Sequence, residues 1–371
     1  MKILHISDLH IGRTLYDYSL IEEQKFALDR IIEIINLKNI DVLLVCGDIY
    51  DKANPSDEAL NLVDEFVYKL SRIDGLKTII ISGNHDNDDK LKYLSSFLQK
   101  YNIFIYTSLE DLKDELIIDG ISFLPIPYLN LSVIRSYYKD STLDIVSGHK
   151  RIIDEYFTSS KATKHICLCH NFISGSKSVS SERTISVGGI EDLPKILFEK
   201  FDYTALGHLH TPQNLDEKIR YSGSLLKYSE DEVNNKIGCN LIDLETGDIE
   251  RIPYLIKRDI KKIEGTYQEI VSKFSPGQVD DSFVFITLCG DDRPIDAHIK
   301  LKHYYPYLCR ISIKENEGDL MIDKEILSSD SLLTKSTGEV FEIFYQKQYG
   351  KTMTPEELEV LNSILEDGKG E

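Results

Sequence analysis

The chain has 371 residues, with 43 Lys and Arg against 62 Asp and Glu, a formal net charge of −19. Apolar residues make up 42% and charged residues 28%, the balance of an ordinary soluble globular protein. The acidity argues against a freestanding nucleic-acid binder, which gains affinity by neutralising phosphates with a basic surface. A single compact core is not expected at this length, so one large domain with one or two smaller ones is the prior. No apolar run approaches the ~20 residues needed to span a bilayer, so no membrane is expected. The opening Met1–Asp8 turns acidic too soon for a signal peptide. The six cysteines form no CxxC pair and read as reduced thiols at strand or core positions, consistent with a cytoplasmic protein. Asn130-Leu131-Ser132 is then a chance match to a glycosylation acceptor.

Met1–Ser7 reads as a strand ending in polar residues, and Leu20–Lys38 sets Phe26, Ile31, Ile34 and Ile35 at helical spacing. Ile40–Cys46 is a buried strand closing at Gly47-Asp48, and Ser56–Ser71 is a second helix. Lys77–Ile81 is a third strand, ending at Gly83-Asn84-His85-Asp86. Shorter strands are expected at 103–106, 116–118 and 121–124, then a polar, less regular stretch and a helix around 150–160. The strand His165–Cys169 ends at His170-Asn171, and Tyr203–Leu206 ends at Gly207-His208-Leu209-His210. Strands near 219–221, 237–242 and 249–256 suggest a β meander.

The pattern changes near residue 258. Strand Lys261–Glu264, helix Tyr267–Phe274, strand Ser282–Leu288, helix Ile295–Tyr304 and strand Leu308–Lys314 make a βαβαβ unit. Past Asn316 the chain becomes acidic and helical, with Val340, Phe341, Phe344 and Tyr345 on one stripe of Gly338–Tyr349. Thr354-Pro355-Glu356-Glu357 is a capping-box start with Pro at the first helical position. The helix it opens carries Leu358, Leu361, Ile364 and Leu365 on one face. Neither tail helix has an obvious core of its own to cover. The expected division is therefore 1–258, 259–316 and 317–371.

Chemistry concentrates where strands end. Asp8-Leu9-His10, Gly47-Asp48, Gly83-Asn84-His85-Asp86, His170-Asn171 and Gly207-His208-Leu209-His210 each follow a strand. In a layered α/β fold the carboxyl ends of neighbouring strands gather at one edge, where sites are built. The DxH and HxH spacings suggest side chains that leave a strand in the same direction and grip one ion together. Glycines before Asp48, Asn84 and His208 let chain and ligands come close. Carboxylate, imidazole and amide donors suit Mn, Fe or Zn, and the absence of cysteine argues against structural zinc. The seven candidates Asp8, His10, Asp48, Asn84, His170, His208 and His210 are too many for one open ion. They suit two ions ~3.5–4 Å apart bridged by a carboxylate, with Asp48 the natural bridge. Taken singly, each motif is more often a turn, a cap or a hydrogen-bonded strand end; the order of all five carries the signal. The remaining histidines, His5, His149, His165, His298 and His303, read as surface or satisfied core.

This ordered set resembles the calcineurin-like metallophosphoesterase superfamily. Within it the chain resembles the nuclease subunits of SbcCD-type double-strand-break-repair complexes. Asp8-Leu9-His10-Ile11-Gly12-Arg13, Gly47-Asp48-Ile49-Tyr50-Asp51, Val187-Gly188-Gly189-Ile190, Gly207–Gln213 and Tyr221-Ser222-Gly223-Ser224 with Lys227-Tyr228-Ser229 carry that second likeness. Leu225 stands where proline is common and Cys169 where a small residue is usual; neither is a ligand. The resemblance implies a four-layer α/β/β/α sandwich, a small α/β capping domain over the site and a C-terminal helical tail. It implies two divalent ions, Mn²⁺ foremost: one on Asp8, His10, Asp48 and His210, the other on Asp48, Asn84, His170 and His208. His85 would contact the scissile phosphate as a catalytic group, and Asp86 would orient its ring or cap the turn. The implied activity is exonuclease and endonuclease (hairpin) cleavage of DNA in an ATP-driven bacterial complex. The implied partners are DNA, a second copy of the chain within a heterotetramer, and an SbcC-type coiled-coil ATPase docked through helices 338–366. The polar stretch Ser174–Ser186, with Lys177 and Arg183, could approach DNA or be a surface loop. No GxxxxGK[ST] motif occurs, so ATP is handled elsewhere. A small-substrate phosphoesterase and a catalytically dead scaffold of the same fold are the competing readings.

Overall fold

The computed structural model describes residues 1–177, 192–290 and 294–314, together with individual positions between 338 and 361. In chain order the strands are β1 (Lys2–Ile6), β2 (Thr14–Leu15), β3 (Tyr18–Ser19), β4 (Val42–Cys46), β5 (Lys77–Ile81) and β6 (Ile103–Tyr106). Then follow β7 (Leu116–Ile118), β8 (Ile121–Ile126), β9 (Lys164–His170), β10 (Tyr203–Gly207), β11 (Gln213–Asn214) and β12 (Ile219–Tyr221). The last are β13 (Gly238–Asp243), β14 (Ile249–Pro253), β15 (Ile260–Gly265), β16 (Phe283–Leu288) and β17 (Leu308–Ile313). The helices are α1 (Ile21–Lys38), α2 (Asp57–Ser71), α3 (Asp88–Leu91), α4 (Ser95–Leu98), α5 (Leu131–Tyr138), α6 (Ile145–Ser159), α7 (Tyr267–Val271) and α8 (Ala297–Lys302).

Two six-stranded sheets, ordered β14-β13-β1-β4-β5-β6 and β11-β12-β10-β9-β8-β7, pack face to face. Strand alternation builds the layers. In β4, Val42, Leu44 and Cys46 enter the core between the sheets, where Ile166, Leu168 and Tyr203 of the second sheet meet them. Leu43 and Val45 point the other way, into a core roofed by Ala27, Ile31 and Ile35 of α1 and by Leu62 and Phe66 of α2. In β9, Cys167 and Cys169 face an outer core closed by Ile134 of α5 and Ile152 and Ile153 of α6. The result is the four-layer α/β/β/α sandwich. Both faces of each central strand are buried, which is why these strands read as unbroken apolar runs.

The central strands β1, β4, β5 and β6 run parallel, as do β8, β9, β10 and β12. Their carboxyl ends therefore share an edge, and the motif residues leave the strands there. His5, from β1, is satisfied core: its ring spans the sheets to the Tyr203 hydroxyl at 2.9 Å and the Leu206 carbonyl at 3.2 Å. His149 is also buried, with Nδ1 on the Ile145 carbonyl at 2.8 Å. None of the six cysteines is in a disulfide, and Cys46, Cys167, Cys169 and Cys239 are buried in strands.

Two expectations need correction. The stretch after β8 holds α5, with Asn130 as its cap: the Asn130 side chain accepts from the Val133 amide at 3.0 Å. Its residues, LSVIRSYY, bury only Ile134, so no apolar stripe announces the helix. The strands near 219–253 do not form one meander. β12 pairs parallel with β10 in the second sheet, whereas β13 and β14 pair antiparallel on the first. The segment between β12 and β13 crosses from one sheet to the other, with the Leu225 amide on the Asp8 carbonyl at 3.2 Å.

β15, β16 and β17 form a three-stranded sheet in that order, carrying α7 and α8. Residues Met1–Thr287 and Arg293–Ser312 make one compact unit. Within it Ile260, Phe283 and Phe285 join the outer core of the first sheet, and Tyr18 packs on Phe283 and Tyr307. Arg258 pairs with buried Glu23. The second unit comprises Leu288–Asp292 and Ile313–Glu371. Its capping box is present: the Thr354 amide donates to Glu357 Oε2 at 2.7 Å and the Glu357 amide to Thr354 Oγ1 at 3.3 Å. Most of the expected tail helices, including Val340, Phe344, Ile364 and Leu365, lies outside the described residues. Among the described residues no helix is long and apolar enough to cross a membrane.

Candidate metal centre

All seven candidate ligands and His85 meet at the shared edge of the two sheets. Asp48 Oδ2 lies 3.5 Å from His10 Nε2 and 3.5 Å from His170 Nε2, equidistant from two imidazoles from different sheets. On one side of it, His210 Nε2 is 3.0 Å from His10 Nε2, and Asp8, His10 and His210 bring donor atoms within 4.8 Å of one another. On the other side, Asn84 Oδ1 is 3.1 Å from His170 Nε2 and 3.0 Å from His208 Nδ1. Asp8, Asp48 and His170 form a second donor cluster.

Backbone conformation aims these groups. Asp8, His10, Asp48 and His208 have φ of 52°, 44°, 51° and 98°, the left-handed region that costs a non-glycine residue ~1–3 kcal/mol. Backbone hydrogen bonds hold the turns: the Asp8 amide to the Gly47 carbonyl at 3.1 Å and the His10 amide to the Asp48 carbonyl at 2.9 Å. The Asp and His of the DxH motif thus converge through left-handed turns and not through strand alternation. His208 and His210 face different neighbours: His208 Nδ1 meets Asn84 Oδ1, and His210 Nε2 meets His10 Nε2. The glycine expectation holds for reasons of space. A Cβ on Gly207 would sit 1.8 Å from the Cys46 carbonyl oxygen, and one on Gly47 would sit 2.1 Å from His170 Nδ1.

Second contacts fix tautomers. His170 Nδ1 donates to the Cys46 carbonyl at 2.8 Å and His210 Nδ1 to Glu232 Oε1 at 2.9 Å, so each presents Nε2 inward. His85 Nδ1 donates to the Asp51 carbonyl at 2.8 Å, and the His85 amide donates to Asp48 Oδ1 at 2.9 Å. Asp86 does not orient the His85 ring. Its carboxylate accepts the Gly83, Ile49 and Tyr50 amides at 2.9, 3.1 and 2.9 Å, tying the loop after β5 to the loop after β4. A carboxylate spent on three backbone donors is a clamp.

Burial holds the His10 ring well below its usual pKa and pushes His208 down to about 3, the neutral form that offers a lone pair. Burial also acts to lower His170, but the Asp48 carboxylate overrides it and pushes the ring up to about 9. Burial and the neighbouring Asp48 charge lift Asp8 to about 6.

Three supporting residues escaped the sequence reading. Glu232 is fully buried against His210 within an acidic run that reads as a solvated turn. Gln24 of α1 donates to the His10 carbonyl at 2.7 Å and accepts the Gly12 amide at 3.0 Å. Ser7 Oγ donates to Asp8 Oδ2 at 2.5 Å and meets Ser222 Oγ at 2.8 Å. For Glu232 and Gln24 only contacts between separate segments reveal the role; Ser7 adjoins Asp8 in sequence, but a serine at a strand end carries no specific signal. Of Ser174–Ser186, only Ser174–Lys177 is described; Arg183 and Val187–Ile190 lie outside the described residues.

The donor set fits divalent cations. Two imidazole Nε2 atoms oppose each other at 3.0 Å beside a buried carboxylate. Lone pairs crowded this closely need positive charge among them.

Two solved structures are similar in part. TT1561 of Thermus thermophilus is 12% identical at a TM-score of 0.41, over 68% of this chain and 98% of its own. GAP50, the anchor in the inner membrane complex of Plasmodium, is 12% identical at a TM-score of 0.36, over 70% of this chain and 90% of its own. Likenesses this weak do not bear on the assignment. The decisive match is to the calcineurin-like phosphoesterase family, whose pattern is found across residues 1–212, more than half of the chain. With its ligand-bearing strand ends gathered as described, the protein belongs to the calcineurin-like phosphoesterases and is a metal-dependent phosphoester hydrolase.

Proposed function

We propose that the chain is the nuclease subunit of an ATP-driven, SbcCD-type DNA-processing complex. It hydrolyses phosphodiester bonds at DNA ends and hairpins, as exonuclease and endonuclease, with two Mn²⁺ ions. The observation that carries the chemistry is Asp48, equidistant at 3.5 Å from an imidazole of each sheet. The choice of DNA rests on the subfamily likeness of the segments around Arg13, Asp51, Gln213 and Ser229.

Asp8, His10, Asp48 and His210 would hold one ion, and Asp48, Asn84, His170 and His208 the other. Such ions, when bound, supply an acidified water and neutralise charge for in-line attack at phosphorus. The protein residues do the rest. Asp48 Oδ1 is fixed by the His85 amide, so bridge and acid are held together across the loops after β4 and β5. The His85 ring donates through Nδ1 to a backbone carbonyl, which leaves Nε2 to meet the phosphate and, when the ring carries a second proton there, to pass it to the departing oxygen. The β15–β17 unit would cap the site and select DNA structure. The tail helices within 338–366 would dock on the coiled coil of an SbcC-type ATPase, by laying an apolar stripe in a groove. A homodimer within a heterotetramer completes the assembly. The charge of −19 then means that the isolated chain binds DNA weakly and salt-sensitively, and borrows affinity from its partner.

The test is to incubate the purified chain, with and without the ATPase partner, with hairpin DNA and with p-nitrophenyl phosphate, in Mn²⁺ and in Mg²⁺. DNA cleavage in Mn²⁺ that is lost in Asp48→Ala and His85→Ala supports the reading. Cleavage of the small ester alone would sink it, and tight partner binding with no hydrolysis would favour a scaffold.

A further inference from the structure

We infer that Glu232 is a positioning residue for the ion on the His210 side of Asp48. The inference rests on the two-ion reading above and asks what sets the affinity of one half of it.

Glu232 is 0% exposed, a setting in which a carboxylate persists only when its oxygens are fully engaged. Oε1 accepts His210 Nδ1 at 2.9 Å and the Ser229 hydroxyl at 3.0 Å. Oε2 accepts the Tyr228 amide at 2.9 Å. Two donors from one short segment thus fix the carboxylate where it meets the imidazole. Its hold on Nδ1 leaves His210 Nε2 as the inward lone pair, and the adjacent negative charge makes that nitrogen a stronger donor to a cation.

Of the other imidazoles, His10 turns Nδ1 toward Asp51 Oδ1 at 3.7 Å, beyond hydrogen-bond reach, and the remaining two meet neutral groups. His170 Nδ1 rests on a neutral backbone carbonyl at 2.8 Å. His208 turns Nδ1 inward to Asn84 at 3.0 Å. Among the described contacts, His210 is the candidate ligand whose outward nitrogen bonds to a carboxylate. The two halves of the centre should therefore differ in cation affinity, and Glu232 should account for much of the difference.

The segment that carries Glu232 belongs to the sheet-to-sheet crossing. Its fold is set by its own turn: the Glu232 amide donates to the Ser229 carbonyl at 3.1 Å and the Asn235 amide to the Glu232 carbonyl at 2.8 Å. Neither bond uses the Glu232 side chain, so both survive its replacement, whereas the Tyr228 amide and the Ser229 hydroxyl lose their acceptor in Glu232→Ala and keep one in Glu232→Gln.

The test titrates Mn²⁺ into the chelator-treated full chain and reads heat and stoichiometry, with no substrate present. The wild type should bind two ions. Glu232→Ala should weaken one of them by about 10–100-fold and leave the other within about twofold. Glu232→Gln is nearly isosteric and can still accept the Nδ1 proton, but lacks the charge, so its loss should be smaller and confined to the same ion. Equal weakening of both ions, in step with a fall in Tm, would mean that Glu232 merely supports the fold and would overturn the inference. So would unchanged binding of both ions in Glu232→Ala. Failure of the wild type to bind two ions would overturn the two-ion reading first and this inference with it.

Discussion

The two sheets bring unlike chemistry to one edge. Strands β1, β4 and β5 of the first sheet deliver Asp8, His10, Asp48, Asn84 and His85, and with them both candidate carboxylate ligands. Strands β9 and β10 of the second deliver His170, His208 and His210, imidazoles alone. Contacts between the sheets then do the positioning. His170 rests on the Cys46 carbonyl of the first sheet, and the His208 amide donates to Asp8 Oδ1 at 2.9 Å. Neither sheet makes a site alone. The apolar core between them sets the register in which a carboxylate of one meets the imidazoles of the other, and cations complete the charge balance there.

The strongest way to break this pairing is to remove its shared member. Asp48→Ala should lower phosphodiester hydrolysis on the order of 10³-fold or more, measured as initial rate in saturating Mn²⁺. His85→Ala should cost about 10²–10⁴-fold in the same assay while Mn²⁺ stoichiometry stays at the wild-type value. That split separates a residue that holds cations from one that acts on the phosphate.

Cations should also tie the sheets thermodynamically. Mn²⁺ at about 100 times its Kd should stabilise the chelator-treated chain by ~2.7 kcal/mol per site, read as a rise in Tm. The rise should shrink in Asp48→Ala, and an equal rise in both proteins would mean that the ions bind elsewhere.

The smallest effect belongs to the outer helical layer. Glu65 of α2 takes hydrogen bonds from Lys25 of α1 and from Lys69, the Lys25 bond being the larger cause that pulls it down to about 2. A depressed carboxyl adds stability above its unfolded value near 4.5 and loses it as pH falls through about 2. The group is largely solvent-screened, so Glu65→Gln should cost less than ~1 kcal/mol at pH 7 by urea unfolding. The gap between variant and wild type should narrow as pH falls from about 5 to about 3.

Much of the centre was legible because its ligands follow apolar strands whose identity the β-branched runs betray. Lys77–Ile81 and Ile103–Tyr106 lie where the pattern sets them. The allocation of strands to sheets was not legible. β12 and β13 are separated by a short crossing, and only long-range pairing sends one to each sheet. Helix α5 was missed because it buries a single residue, Ile134. The same locality limited the site reading. Asp86 adjoins His85 in sequence, yet its oxygens go to three amides, while the His85 ring is held by Asp51 from another loop. Glu232 was invisible because the pairing that gives it a role joins the crossing between sheets to the strand end before it.

The central claim is that Asp48 is shared by two cations held between the sheets. Electron paramagnetic resonance of the Mn²⁺-loaded chain tests it most directly, because two ions bridged by one carboxylate couple their spins. The expected result is two Mn²⁺ per chain with a spin-coupled signal in the wild type, replaced in Asp48→Ala by the signal of isolated ions. Two uncoupled ions in the wild type, or a coupled pair that survives Asp48→Ala, would contradict the account.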